Sequence, residues 1–254
     1  MAPGRFAGPV SCRPKISIDF LSHVTYTIST TPLPSGGGSE AIRKGGFCVY
    51  MRTFVYVDGF NLYYRALRHT PYRWLDLSKL TALLLPKDNI QRIHYYTARI
   101  TARPNDPDQP TRQQIYLRAL ATIPNLTVTF GQFLTHVTKM PLASNPAELV
   151  KVLKTDEKGS DVNLATHLLY EGMKNEYDAA VVISNDSDLA EPIRIVNQEM
   201  HKTAGILCPA KFPARELLRY ARFYKPIRQA VLAASQFPQE LEDSHGKFRK
   251  PSSW

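Results

Sequence analysis

Four aspartates stand where a cation site would need them. Asp186 and Asp188 lie in "VVISNDSDLAEPI", residues 181–193, directly after an apolar run that reads as a buried strand. Asp58 ends a second such run in "FVYVDGFN", and Asp161 follows the turn-forming "EKGS" at the head of a helix. Carboxylates brought together repel one another, so a cluster is costly unless a cation or raised pKa values relieve it. Hard oxygen donors without a cysteine or histidine cluster beside them favour Mg2+ or Mn2+ over zinc. Taken singly, each acid also has a structural reading: Asp58 opens a turn with Gly59, Asp161 favours a helix dipole, and Asp188 is an N-cap with Glu191 three residues on and Pro192 in the first turn. The seven histidines are scattered, with none at ligand spacing to another.

The elements that must position these acids alternate strand and helix from residue 53 onward. Phe54–Val57, 92–99, 126–133, 179–184 and 203–208 read as strands, and 149–156 pairs with the third of them as a long hairpin. Helices are expected over 112–122, in "SDVNLATHLLYEGMK" and over 214–224. In the second of these, Val162, Ala165, Leu169 and Met173 fall at helical spacing and form the expected buried stripe, with Ser160 as cap after Gly159. That order predicts a mostly parallel sheet with helices on both faces. In such a sheet ligands bind outside the carboxyl ends of the strands, where Asp58 and Asp186 both sit.

A chain of 254 residues with 43% hydrophobic content has room for one well-buried domain plus appendages. Residues 1–50 carry seven of the 13 glycines and no sustained periodicity, so they are expected to be an unstructured or non-native extension. Met51 precedes the first convincing strand and reads as the biological start. Residues 51–235 then form the domain and 236–254 a tail that packs on the domain or on a partner. No run approaches the ~20 apolar residues of a membrane span, and no signal segment is evident, which makes the cytoplasm the expected compartment and a membrane partner unexpected. Cys12, Cys48 and Cys208 are odd in number and lack C-x-x-C spacing, which argues against a disulfide framework or a cysteine zinc site. Cys208 closes the apolar "AGILC" as a core thiol. Of the net charge of +10, only +3 falls in residues 1–50, so a balance that favours polyanions belongs mainly to the folding part.

"FVYVDGFNLYY", "EKGSDVNLATHLL" and "VVISNDSDLAEPI", in that order and at these separations, resemble the three motifs of the NYN domain, in its LabA-like branch, within the wider PIN-like nuclease fold. The ending "SQFPQELEDSHGKFRKPSSW" is similar to the tail of bacterial members. The resemblance covers about residues 51–254. It implies a PIN-like three-layer α/β fold and an acidic site at Asp58, Asp161, Asp186 and Asp188, with Asn61 as the polar residue after the first acid. The implied activity is ribonuclease: one or two Mg2+ or Mn2+ ions held by the carboxylates polarise the scissile phosphate and activate a water. Ser184, Asn185 and Asn61 would orient water or a ligand around that site. The implied partner is RNA, with homo-oligomerisation open. Arg99, Arg103 and Arg112 around the loop after the second strand, and Lys151, Lys154 and Lys158 on the path to Asp161, are candidate phosphate contacts; Tyr63, Tyr95 and Tyr96 are candidate stacking surfaces.

Three other readings compete. A haloacid-dehalogenase-like phosphatase needs a second acid two residues after its nucleophilic aspartate, and position 60 is Phe. A toprim-type site takes Glu after its first strand, where Asp58 stands. A non-catalytic RNA-binding or regulatory module of the same fold would retain the acids without cutting.

Overall fold

The computed structural model describes residues 51–254, so the expectations for residues 1–50 lie outside the described residues. Seven strands form one sheet. They are β1 (Arg52–Asp58), β2 (Asn89–Ala98), β3 (Leu126–Leu142), β4 (Asn145–Lys158), β5 (Ala179–Ile183), β6 (Thr203–Cys208) and β7 (Tyr224–Pro226), in the spatial order β4-β3-β2-β1-β5-β6-β7. All neighbours run parallel except the β3–β4 hairpin. The chain lays β2 on one side of β1 and β5 on the other, so the order reverses beside β1. Such a switch point leaves a crevice at the carboxyl ends of β1 and β5.

Strand alternation divides the core in two. Val55 and Val57 face a cluster that includes Leu62 of α1 (Gly59–Leu62), Leu77 and Leu80 of α2 (Leu77–Leu84) and Tyr116 and Leu120 of α3 (Gln109–Leu120). Phe54 and Tyr56 face the opposite cluster, with Leu164 and Leu168 of α4 (Ser160–Met173), Ile193 of α5 (Ala190–Arg194) and Leu217 of α6 (Arg215–Tyr220). Helices therefore cover both faces, as the all-apolar β1 and β5 require. The fold is the expected α/β three-layer, PIN-like arrangement.

The buried stripe of α4 is not the expected one. Val162 and Met173 are 67% and 77% exposed and Ala165 and Leu169 pack half-buried against the core, whereas Leu164 and Leu168 are fully buried, with Gly172 and Glu171 buried in the same row. The helix turns this row inward because a glycine is needed where it meets Tyr177: a Cβ at Gly172 would lie 2.5 Å from that hydroxyl. Glu171 is tolerated there because the Tyr56 hydroxyl donates to it and His94 and Arg92 lie beside it. A charged residue inside the row concealed it from a count of apolar positions.

Several elements went unread in the sequence. Helix α2 is opened by Asp76, whose carboxylate accepts from the Ser78 and Lys79 amides. Helix α6 is shorter than the expected 214–224, because the chain extends at Ala221 and pairs as β7 with β6. Residues 236–254 fold onto their own domain: β8 (Glu240–Asp243) and β9 (Gly246–Arg249) form a hairpin, and Phe237, Phe248 and Trp254 join the cluster around Trp74 and Tyr116. A bidentate Arg118–Asp243 pair and the Trp74 indole donating to the Pro238 carbonyl fix the segment.

Candidate functional site

Asp58 ends β1 and is buried, with 5% of its surface exposed. Its carboxylate accepts from the Asn61 amide at 2.9 Å and from the Ser184 hydroxyl at 2.9 Å, so the ends of β1 and β5 are stitched across the switch point. The Ser184 oxygen in turn accepts from the Asp186 amide at 3.0 Å. The Asn61 side-chain oxygen accepts from the Asn185 amide at 3.0 Å, making a second stitch. Burial raises the Asp58 pKa, the two hydrogen bonds oppose that, and Asp186 and Glu157 add to the rise.

Asp161 reaches the same edge from the first turn of α4. Gly159 adopts the left-handed conformation, φ 93°, that turns the chain from β4 into the helix. Close approach is needed as well, since a Cβ at Gly131 of β3 would lie 2.5 Å from the Glu157 carboxylate and from the Lys158 carbonyl. Ser160 is not the cap that its type predicts; the residue before it holds that place, and the Ser160 amide and hydroxyl donate to Glu157. The Asp161 carboxyl is pushed up to about 6, first by burial and then by repulsion from Asp58, Asp186, Glu157 and Asp188. The other three expected acids thus all act on Asp161, together with Glu157, whose place in "EKGSD" gives no sign of it in the sequence.

Asp188 is not the N-cap. Asp186 takes that place, its carboxylate accepting from the Asp188 amide at 3.0 Å at the start of a 3-10 turn, Ser187–Leu189. Glu191 pairs with Arg194 instead of closing a capping box, and the Asp188 carboxylate stays exposed at the site's rim. Asn185 has a structural job. Its side-chain oxygen accepts from the Ala214 amide at 2.8 Å and from the Cys208 thiol, and its nitrogen donates to the Phe212 carbonyl, which leaves it tying β5 to the chain before α6. Among the described residues no three His, Cys, Asp or Glu side chains stand close enough to grip one ion directly.

The basic and aromatic candidates separate. Arg103 and Lys158 are exposed, and Arg99 lies over the Phe130 ring at 4.7 Å with its surface open. Lys154 pairs with Asp156 at 2.9 Å, Arg112 pairs with Asp106 at 2.6 Å, and exposed Lys151 stands opposite Lys139 on the hairpin. Tyr95 and Tyr96 are buried in the two core clusters instead of standing exposed as stacking surfaces, a correction that follows from β2 lying inside the sheet. Tyr63 is half-buried. Among the described residues no helix is long and apolar enough to cross a membrane.

The chain is 29% identical over 238 residues to 6-hydroxy-3-succinoylpyridine 3-monooxygenase HspA of Pseudomonas putida, covering 80% of this chain and 75% of that protein. Among solved structures it is similar to a protein of unknown function from Vibrio parahaemolyticus, with 15% identity, a TM-score of 0.48, and coverage of 71% of this chain and 94% of that one. The NYN domain profile matches residues 52–228, which include Asp58, Glu157, Asp161, Asp186 and Asp188, and the chain belongs to the NYN domain family, which is nuclease-like.

Proposed function

We propose that this protein is a divalent-metal-dependent ribonuclease that hydrolyses RNA phosphodiester bonds at the β1–β5 switch point. What carries the reading is the convergence of Asp58, Asp161, Asp186 and Asp188 on one sheet edge, where the other three all push the Asp161 carboxyl up, a repulsive arrangement that a cation relieves. The donors are all carboxylate oxygens, which fits a hard ion that retains several waters, Mg2+ or Mn2+, so not every acid has to bind it directly. Asp58 and Asp186 would hold it, and Asp161, Asp188 and Glu157 would meet it through its waters. When bound, the ion supplies Lewis acidity toward the phosphate and an activated water. Ser184 and Asn61 keep the Asp58 carboxylate in one orientation. Exposed Arg99, Arg103 and Lys158 are proposed to meet the RNA backbone.

The test is cleavage of end-labelled single-stranded RNA with Mn2+. Wild-type protein cuts, chelation stops it, and Asp186→Asn cuts at least about 100-fold more slowly. Equal RNA affinity with no cleavage in any metal would leave the binding-module reading instead.

A second reading draws on the Pseudomonas putida relative, named as a monooxygenase of a substituted pyridine. In that reading O2 places one oxygen atom on a small heteroaromatic ring, and a two-electron reductant converts the other to water. Substrate-dependent NADH oxidation with a hydroxypyridine acid, absent with RNA, would establish it.

A further inference from the structure

A cavity of about 130 Å³ opens beside the aspartate edge, on the face of the sheet that carries α3. Gly59, the residue after Asp58, lines it, and its walls are largely aromatic: Phe60, Tyr63, Tyr64, Tyr116 and Trp254. Its size is close to that of an engineered apolar cavity of ~150 Å³ that holds one benzene, so it admits one six-membered ring and not a fused pair. Trp254 is held there edge-on to Tyr116, with ring centroids 5.8 Å apart.

The polar lining is asymmetric. Arg112 is already paired with Asp106, and Gln113 is used at both ends, donating to the Ala98 carbonyl and accepting from the Ile100 amide. Arg73 is different. It donates one bond, from Nη2 to the Ser253 carbonyl, its Nε is buried with no partner, and no carboxylate pairs with it among the described residues. The Arg73 guanidinium therefore lines the cavity without an opposite charge, and an anionic group seated there is its natural partner.

We infer that this cavity binds a planar, single six-membered aromatic or heteroaromatic ring carrying one anionic group, the ring among the aromatic walls and the anion on Arg73. The inference goes beyond the hydrolytic reading and stands apart from it, because Asp186 does not line the cavity. Two sources share the chemistry: a pyrimidine nucleotide of an RNA strand, and a free aromatic acid.

Calorimetric titration of the full chain with uridine monophosphate, adenosine monophosphate, uridine, nicotinate and pyridine tests it. The expected result is 1:1 binding of uridine monophosphate or nicotinate, weaker by about tenfold for the uncharged uridine or pyridine and for the fused-ring adenosine monophosphate. Uridine monophosphate alone assigns the site to RNA, and nicotinate alone to a free acid. Arg73→Gln is expected to lose about tenfold, and Tyr64→Ala, at the exposed rim, about fivefold with an unchanged melting temperature. No binding of either charged probe below about 10 mM, or equal binding of charged and uncharged partners by wild-type protein, would overturn the inference. Binding that survives in a protein without RNA cleavage, or the reverse, separates its fate from that of the nuclease proposal.

Discussion

Asp161 carries the most exposed consequence at the scale of single residues. Its folded pKa of about 6 lies above the ~3.9 of an unfolded aspartate, so the folded state holds the proton more tightly. The stabilisation this gives is complete below about pH 4 and is lost as the pH rises through 6. Metal-free protein should therefore melt at lower temperature at pH 7 than at pH 5. The difference is on the order of 1 kcal/mol once solvent screening of a half-exposed group is allowed for. Asp161→Asn should flatten the slope, and added Mn2+ should lift the pH 7 value; a flat profile in wild-type protein would count against the crowding of charge. Ser184→Ala removes a hydrogen bond to a buried carboxylate and should cost about 1.5–3 kcal/mol in denaturant unfolding, with weaker metal binding. The three acids at strand and helix ends were readable because apolar runs announce where they sit. Which acid caps which turn was not, since Asp186 and Asp188 are chemically equivalent in a sequence and only backbone direction distinguishes them.

At the scale of elements, α4 offers the clearest contrast. Leu164→Ala is expected to cost about 2–5 kcal/mol, while Val162→Ala on the exposed side should stay within about 0.5 kcal/mol. The reverse ranking, measured by chemical denaturation, would reinstate the stripe that spacing alone predicts. Parallel strands were legible as short continuous apolar runs, and the β3–β4 hairpin as two segments of matching length. By contrast, β7 and the β8–β9 hairpin are short, polar and held by partners far away in sequence, so no local pattern marks them. Helix α2 does have a local signal, Asp76 followed by Ser78, a short capping pattern with no periodic apolar run long enough to single it out.

For the whole molecule, the C-terminal segment matters beyond its length. Phe237, Phe248 and Trp254 pack into the same cluster as Trp74 and Tyr116, each such side chain contributing about 1.5–3 kcal/mol of burial. Since a domain's net stability is only about 5–15 kcal/mol, a chain ending at residue 235 should lose its cooperative thermal transition, as circular dichroism would record. A truncated chain that melts like the full one would restore the tail as an independent appendage. The family, the layers and the crevice between β1 and β5 all follow from sequence order. Attachment of the tail does not, because it is decided by tertiary packing.

Manganese titration of the apo protein, followed by calorimetry or electron paramagnetic resonance, tests the central claim most directly. The account predicts saturable binding of one or two ions at the aspartate edge, weakened about 10- to 100-fold or more in both Asp58→Asn and Asp186→Asn. Wild-type protein that binds no Mn2+ or Mg2+ at millimolar concentration, or variants that bind as tightly as wild type, would contradict it.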